Sequence, residues 1–169
     1  MSMLTDLQKI RERALFCKGQ AAYYKEQVIP PFKVEAVEVY HYSDLAQIIH
    51  NLSGNQTLEV WDSWWAIPSL EDSIKIIEWD LVDQLTWKSE IRDCDKFAFW
   101  FRGMTAMKFK VNHVAVVRDD VSHHAYCLIW LPDHGVPLLF EPQTDLYWLA
   151  TDPDPNPGMH DFSTAKILT

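Results

Sequence analysis

The chain reads as an α+β domain, and three observations predict this. An amphipathic helical period runs through its N-terminal residues, a helix-like run opens at Cys94, and three strand-like runs follow, separated by turn residues. Helices come first, and the last of them leads into an antiparallel sheet. At 169 residues and 19.7 kDa the chain has the size of one domain, taken as residues 1–169 with a core at about 85–145.

In chain order, Leu7, Ile10, Ala14, Cys17, Ala21, Tyr24 and Val28 recur at steps of three and four, predicting a helix that closes before Pro30-Pro31 with Cys17 as a core thiol. Residues 33–41 (FKVEAVEVY) alternate as a strand. Ser43 then reads as the N-cap of a short helix bearing Leu45, Ile48, Ile49 and Leu52, ended at Ser53-Gly54. The stretch 57–68, with Trp61, Trp64 and Trp65, shows no clean period. Ser69 is placed to cap a helix reaching about Leu85, although Ile74 and Ile76 also fit a strand.

Cys94 to Arg102 reads as a helix stopped at Gly103. Strands follow at 108–118, 123–131 and 137–141, joined by turns at Asp119-Asp120 and at 132–135 (PDHG). The tail TDPDPNPG is an extended loop.

Lys plus Arg total 15 against 24 Asp plus Glu, a net charge of −9, which argues against a nucleic-acid backbone or an anionic membrane surface as partner. No run approaches the length of a spanning helix, and MSMLTDLQKIRER lacks the apolar core of a signal peptide, so a cytoplasmic location is expected. Cys17, Cys94 and Cys127 have no CxxC spacing, which speaks against a disulfide framework and permits a lone reactive thiol.

Three residues combine into a candidate catalytic set. Asp93 can cap the helix and place Cys94 in its first turn, where free amides and the helix dipole favour a thiolate and the backbone N–H can serve an oxyanion. The flanking Asp93 and Asp95 oppose that thiolate, so a cation, a metal ion or solvent has to offset them. His124 opens a strand and shares its face with Tyr126 and Leu128, with His123 on the other face. Glu141 ends an apolar strand, where a carboxylate needs a partner. A hairpin about the 132–135 turn sets residue 141 opposite roughly 126, within reach of His124, whose Nδ1–H it could accept.

DCDKFA, HAYCLIW and EPQT together resemble the papain-like protease domain of the fairy-ring mushroom agglutinin and its bacterial and viral relatives, and more loosely the bacterial transglutaminase-like cysteine proteinases. The resemblance covers about residues 85–145. It implies a papain-like (transglutaminase/NlpC-P60-like) core and a cysteine peptidase acting on peptide-like amides through a thioester. In that reading Cys94 is the nucleophile, His124 the base and Glu141 the orienting acid. Trp87 would be an indole oxyanion donor, and Asn112 and Gln143 would line the substrate site.

Calcium, which activates the fungal relatives, would sit at Asp93 and Asp95, though Lys96 stands where the pattern has an acid. Lys88 stands in place of the papain oxyanion glutamine. The lectin domain of those relatives is not expected in a chain of this length, so sugar binding is not expected from the resemblance. Three alternatives stay open. One is a transglutaminase-like acyl transferase on the same triad, and another is a zinc hydrolase drawing on His113, His123, His124, Cys127, Asp133 and His134. The third is a binding module that has kept the fold without catalysis.

Overall fold

A computed structural model describes residues 29–54, 58–89, 93–131 and 134–169. The chain divides into two units, Met1–Phe32 and Lys33–Thr169. The expected N-terminal helix with Cys17 lies outside the described residues, as does Asp133.

Within the larger unit the order is β1 (Ala36–His41), α1 (Tyr42–Ser53), β2 (Leu58–Glu59), β3 (Trp64–Pro68), α2 (Leu70–Trp79), α3 (Cys94–Phe109), β4 (Val114–Asp119), β5 (His124–Ile129), β6 (Leu138–Glu141), β7 (Leu146–Leu149) and β8 (Lys166–Leu168). This is a mixed α+β unit. A six-stranded sheet runs β2-β8-β4-β5-β6-β7, antiparallel except for the β2–β8 pair, and β1 and β3 form a separate antiparallel pair.

Local chemistry accounts for most of these boundaries. Ser69 Oγ accepts the Asp72 N–H at 3.1 Å, so α2 is a capped helix and not the strand that Ile74 and Ile76 allowed. Gly54 takes a left-handed conformation (φ 73°) and closes α1 by donating its N–H to His50 O at 2.8 Å. That helix begins two residues earlier than expected, with His41 rather than Ser43 at its N-cap.

The largest difference lies in α3, which runs through Gly103 to Phe109 and ends where Lys110 turns left-handed (φ 61°). A single interior glycine costs about 1 kcal/mol relative to alanine, which the packing of one helical face overcomes. Residues 108–113 are therefore helix end and connection, and the strand starts at Val114. The 57–68 stretch contributes β2 and β3, and β8 is drawn from the tail.

Strand β5 is buried along its whole length because both faces of the sheet are covered. On one face α3 packs Phe97, Ala98 and Phe101; the Phe101 and Phe140 rings lie 4.5 Å apart, and the Cys127 thiol donates toward Ala98 O at 3.6 Å. On the other, Leu45 and Ile49 of α1 and Trp65 and Ile67 of β3 join Ala115, Val117, Tyr126 and Leu128 in one cluster. The register Cys127↔Phe140, carried one residue further, sets Glu141 opposite Tyr126.

Two substitutions separate helix propensity from packing. Nothing lies within 4 Å of a Cβ built on Gly103, so Gly103→Ala is expected to stabilise by roughly 0.5–1 kcal/mol. Phe101→Ala empties a fully buried position and is expected to cost about 3–5 kcal/mol. Urea unfolding of both variants checks the pair.

Candidate functional site

Cys94 is the first residue of α3 and half-buried. Asp93 occupies the N-cap with extended backbone, yet its carboxylate makes no capping hydrogen bond. Lys96 instead donates to Asp93 Oδ1 at 3.2 Å and to both Asp95 oxygens at 2.8 Å. The compensation that the two acids require beside a thiol is thus supplied by the chain's own ammonium group, and Asp93 and Asp95 are engaged with Lys96.

His124 opens β5 and is buried, with Nε2 2.5 Å from Glu141 Oε2. The Cys94 thiol stands near enough to favour the charged form of its ring. The fold therefore brings Cys94, His124 and Glu141 together. The nitrogen facing Glu141 is Nε2 rather than the expected Nδ1.

His123 is not the strand residue that alternation suggested: its φ of 55° puts it in the preceding turn, exposed. Gln143 donates its backbone N–H at 3.2 Å and its side-chain amide at 3.3 Å to Glu141 Oε1, so it orients the acid.

Two residues sit elsewhere in the hydrogen-bond pattern. Asn112 accepts the Ala66 N–H at 2.7 Å and donates to Trp64 O at 3.0 Å and to Asp62 Oδ2 at 3.3 Å, which ties the end of α3 to β3. Trp87 is more than half exposed.

Burial opposes an imidazolium at His124. The nearby Cys94 thiol and the hydrogen bond with Glu141, reinforced by their charge, outweigh it and raise His124 to about 9. Burial likewise opposes a charged Glu141, but the hydrogen bond with His124, the His160 ring 3.6 Å away and the positive charge of His124 hold it down at about 2. Chemically, the set is an ion pair of imidazolium and carboxylate with a thiol at its edge. It can hold a ligand by charge and hydrogen bonds, and it keeps a proton donor beside a sulfur atom.

The histidine-rich cluster weighed as a zinc centre is dispersed. His113 is fully buried against Ser73 Oγ (3.3 Å), His123 and His134 are exposed, and Cys127 faces Ala98. Two other groupings arise that sequence reasoning missed. His160, from the proline-rich tail, joins His124 and Glu141, and Asp80, Asp83 and Asp145 converge; within each trio one ligand atom per residue lies within 4.8 Å of the others. Neither leaves a periodic or motif-like trace, because each is assembled from segments far apart in sequence.

The acid trio suits a hard cation such as calcium better than Asp93 and Asp95 do. Asp80 is 4% exposed and its Oδ2 has no hydrogen-bond partner among the described residues. Burial, with the charges of Asp145 and Asp83, pushes Asp80 up to about 7, and burial beside Asp83 pushes Asp145 up to about 6. Oxygen-only donors with unrelieved repulsion are what calcium binding needs.

No family model matches the chain, and no curated protein matches it. Solved structures do. One is the Polyporus squamosus lectin bound to the human-type influenza-binding epitope Neu5Aca2-6Galb1-4GlcNAc, with a TM-score of 0.58, 19% identity, and coverage of 78% of this chain and 49% of that one. Another is the PSL1a-E64 complex, with a TM-score of 0.56, 21% identity, and coverage of 78% and 50%. The chain spans about half the length of these structures, and at this identity the likeness is one of fold.

That likeness corrects the expectation drawn from DCDKFA, HAYCLIW and EPQT. The fold is shared with about half of a lectin chain, and the identification as a papain-like cysteine peptidase, the thioester reaction and the peptide substrate give way to that likeness. Among the described residues no helix is long and apolar enough to cross a membrane.

The site yields two expected outcomes. Glu141, lowered from 4.5, stabilises the fold above its unfolded pKa, and that contribution is lost as pH falls toward 2. His124, raised from 6.5, stabilises fully below that value, and its contribution is lost as pH rises toward 9. Thermal melts across pH should therefore show the pair's contribution greatest between about 4.5 and 6.5, and Glu141→Gln should flatten both arms. Separately, calcium should raise the Tm of the parent chain, whereas Asp80→Asn should raise the calcium-free Tm and blunt the response.

Proposed function

We propose that the chain is a binding module for carbohydrate rather than an enzyme. The observation that supports this is a surface around β3 where aromatic faces and planar polar groups meet. Trp61 and Trp64 are 68% and 61% exposed, an unusual state for two neighbouring indoles. The Arg102 guanidinium lies 5.4 Å from the Trp61 ring centroid, and Asn112 and Asp62 are hydrogen-bonded beside Trp64. Sugars offer flat C–H faces that pack on aromatic rings, and hydroxyls that need both donors and acceptors; indole, guanidinium, amide and carboxylate supply all of these.

The surface continues past the His41 ring, 5.1 Å from that of Trp64, into an open groove of about 310 Å³ where Tyr42, Ser43, Gln47 and His50 stand beside the apolar Ile49 and Leu58. That volume is at the lower end of the range of small-ligand sites, and a few polar groups are set on a mostly apolar lining. The Polyporus squamosus lectin structure holds a sialylated epitope. Here Arg102 is the group able to meet a sugar carboxylate, since the chain as a whole carries −9 and repels anions at long range.

Cys94, His124, Glu141 and Gln143 form in this reading a separate, largely buried polar centre that sugar binding does not use, and Trp87 lies at the surface. Calorimetric titration with the sialylated trisaccharide and its desialylated form tests the reading. Binding is expected, and Trp61→Ala and Trp64→Ala should each weaken it by about 1 kcal/mol, roughly fivefold. No binding across a glycan panel, or binding indifferent to both indoles, would overturn it.

A further inference from the structure

The proline-rich tail delivers one side chain into the interior. His160 is 2% exposed, and its ring lies 5.3 Å from that of His124, 5.0 Å from Tyr126 and 4.7 Å from Trp148. Its Nδ1 is 2.8 Å from Asp154 Oδ1. A carboxylate only accepts, so Nδ1 carries the proton and donates it, and in the neutral ring Nε2 is left with a lone pair. That Nε2 has no hydrogen-bond partner among the described residues.

What it faces is Glu141 Oε2 at 3.6 Å, another acceptor, too distant for a hydrogen bond. His124 Nε2 lies 2.5 Å from the same oxygen. Two imidazole nitrogens and a carboxylate oxygen thus gather within 4.8 Å of one another inside the protein.

We propose that His124, Glu141 and His160 form a binding site for a divalent transition metal of the zinc type, with Asp154 fixing the orientation of His160 from outside. Two imidazoles and one carboxylate are zinc ligands and leave a fourth position open. Ligand atoms about 2.0–2.1 Å from a tetrahedral ion stand roughly 3.4 Å apart. The 3.6 Å between His160 and Glu141 already has that spacing, and His124 at 2.5 Å has to withdraw by about 1 Å.

The Asp154–His160 hydrogen bond is the arrangement by which ligating histidines are held in the correct tautomer. The two Gln143 hydrogen bonds to Oε1 leave Glu141 Oε2 for the ion. Three groups that are 9% exposed or less could not gather donors at this spacing for solvent to use. The inference does not depend on sugar binding, which uses the surface around Trp61 and Trp64.

Titration of zinc sulfate into the full chain, stripped beforehand with EDTA, followed by calorimetry, is the test. One ion per chain is expected, and Asp154→Asn should weaken it 10–100-fold although Asp154 touches no ion. His160→Ala should abolish binding; near-UV circular dichroism checks that it remains folded, and Asp154→Asn decides the matter if it does not. Cobalt in place of zinc should give the visible spectrum of a tetrahedral ion. Binding unchanged in Asp154→Asn, no binding at millimolar zinc, or binding abolished by Cys94→Ala but kept in His160→Ala would each overturn the proposal.

Discussion

A carboxylate that is 6% exposed at the end of an apolar strand constrains everything around it. Glu141 cannot remain charged there without partners, since an unpaired buried charge costs several kcal/mol. Its two oxygens are met by His124 on β5, by Gln143 in the turn that follows, and by His160 brought in from the tail. The β5–β6 register, the β6–β7 turn and the course of residues 151–162 all serve that one group. A slip of a single residue along β6 would turn Glu141 to the opposite face, away from His124.

Legibility in the sequence followed the range of the interactions. The β5–β6 hairpin, the Gly54 stop and the Ser69 cap are local devices, and alternation in HHAYCLIWL is a local pattern, so their elements could be read. Gly103 misled because a glycine's cost is small beside the burial of Phe97, Phe101 and Phe109 on one helix. Strands β2 and β8 have two and three residues and pair with each other across the length of the unit, too short to show a period. The juxtaposition of Cys94, His124 and Glu141 could be read because a helix start, a strand start and a hairpin register determine it. His160 and the Asp80–Asp83–Asp145 trio could not be, since only tertiary packing brings them together.

A cluster's geometry and its use are different questions. Thiol, imidazole and carboxylate in that order pointed to a hydrolase, whereas the solved structures that share the fold include a lectin. The raised His124 and the lowered Glu141 describe a stable ion pair, and an ion pair serves structure and ligand contact as well as it serves proton transfer. The indoles of Trp61 and Trp64 stay largely exposed although Arg102 and His41 lie against them. Their partners Asp62, Arg102 and Asn112 carry the donors and acceptors that a polyhydroxylated ligand needs.

The most direct measurement captures a sialylated glycoprotein on the immobilised chain and then records the mass of what is eluted. The account predicts retention that free trisaccharide reverses, with the glycoprotein eluted intact. Fragments cut at peptide bonds, absent when Cys94→Ala replaces the parent chain, would contradict it.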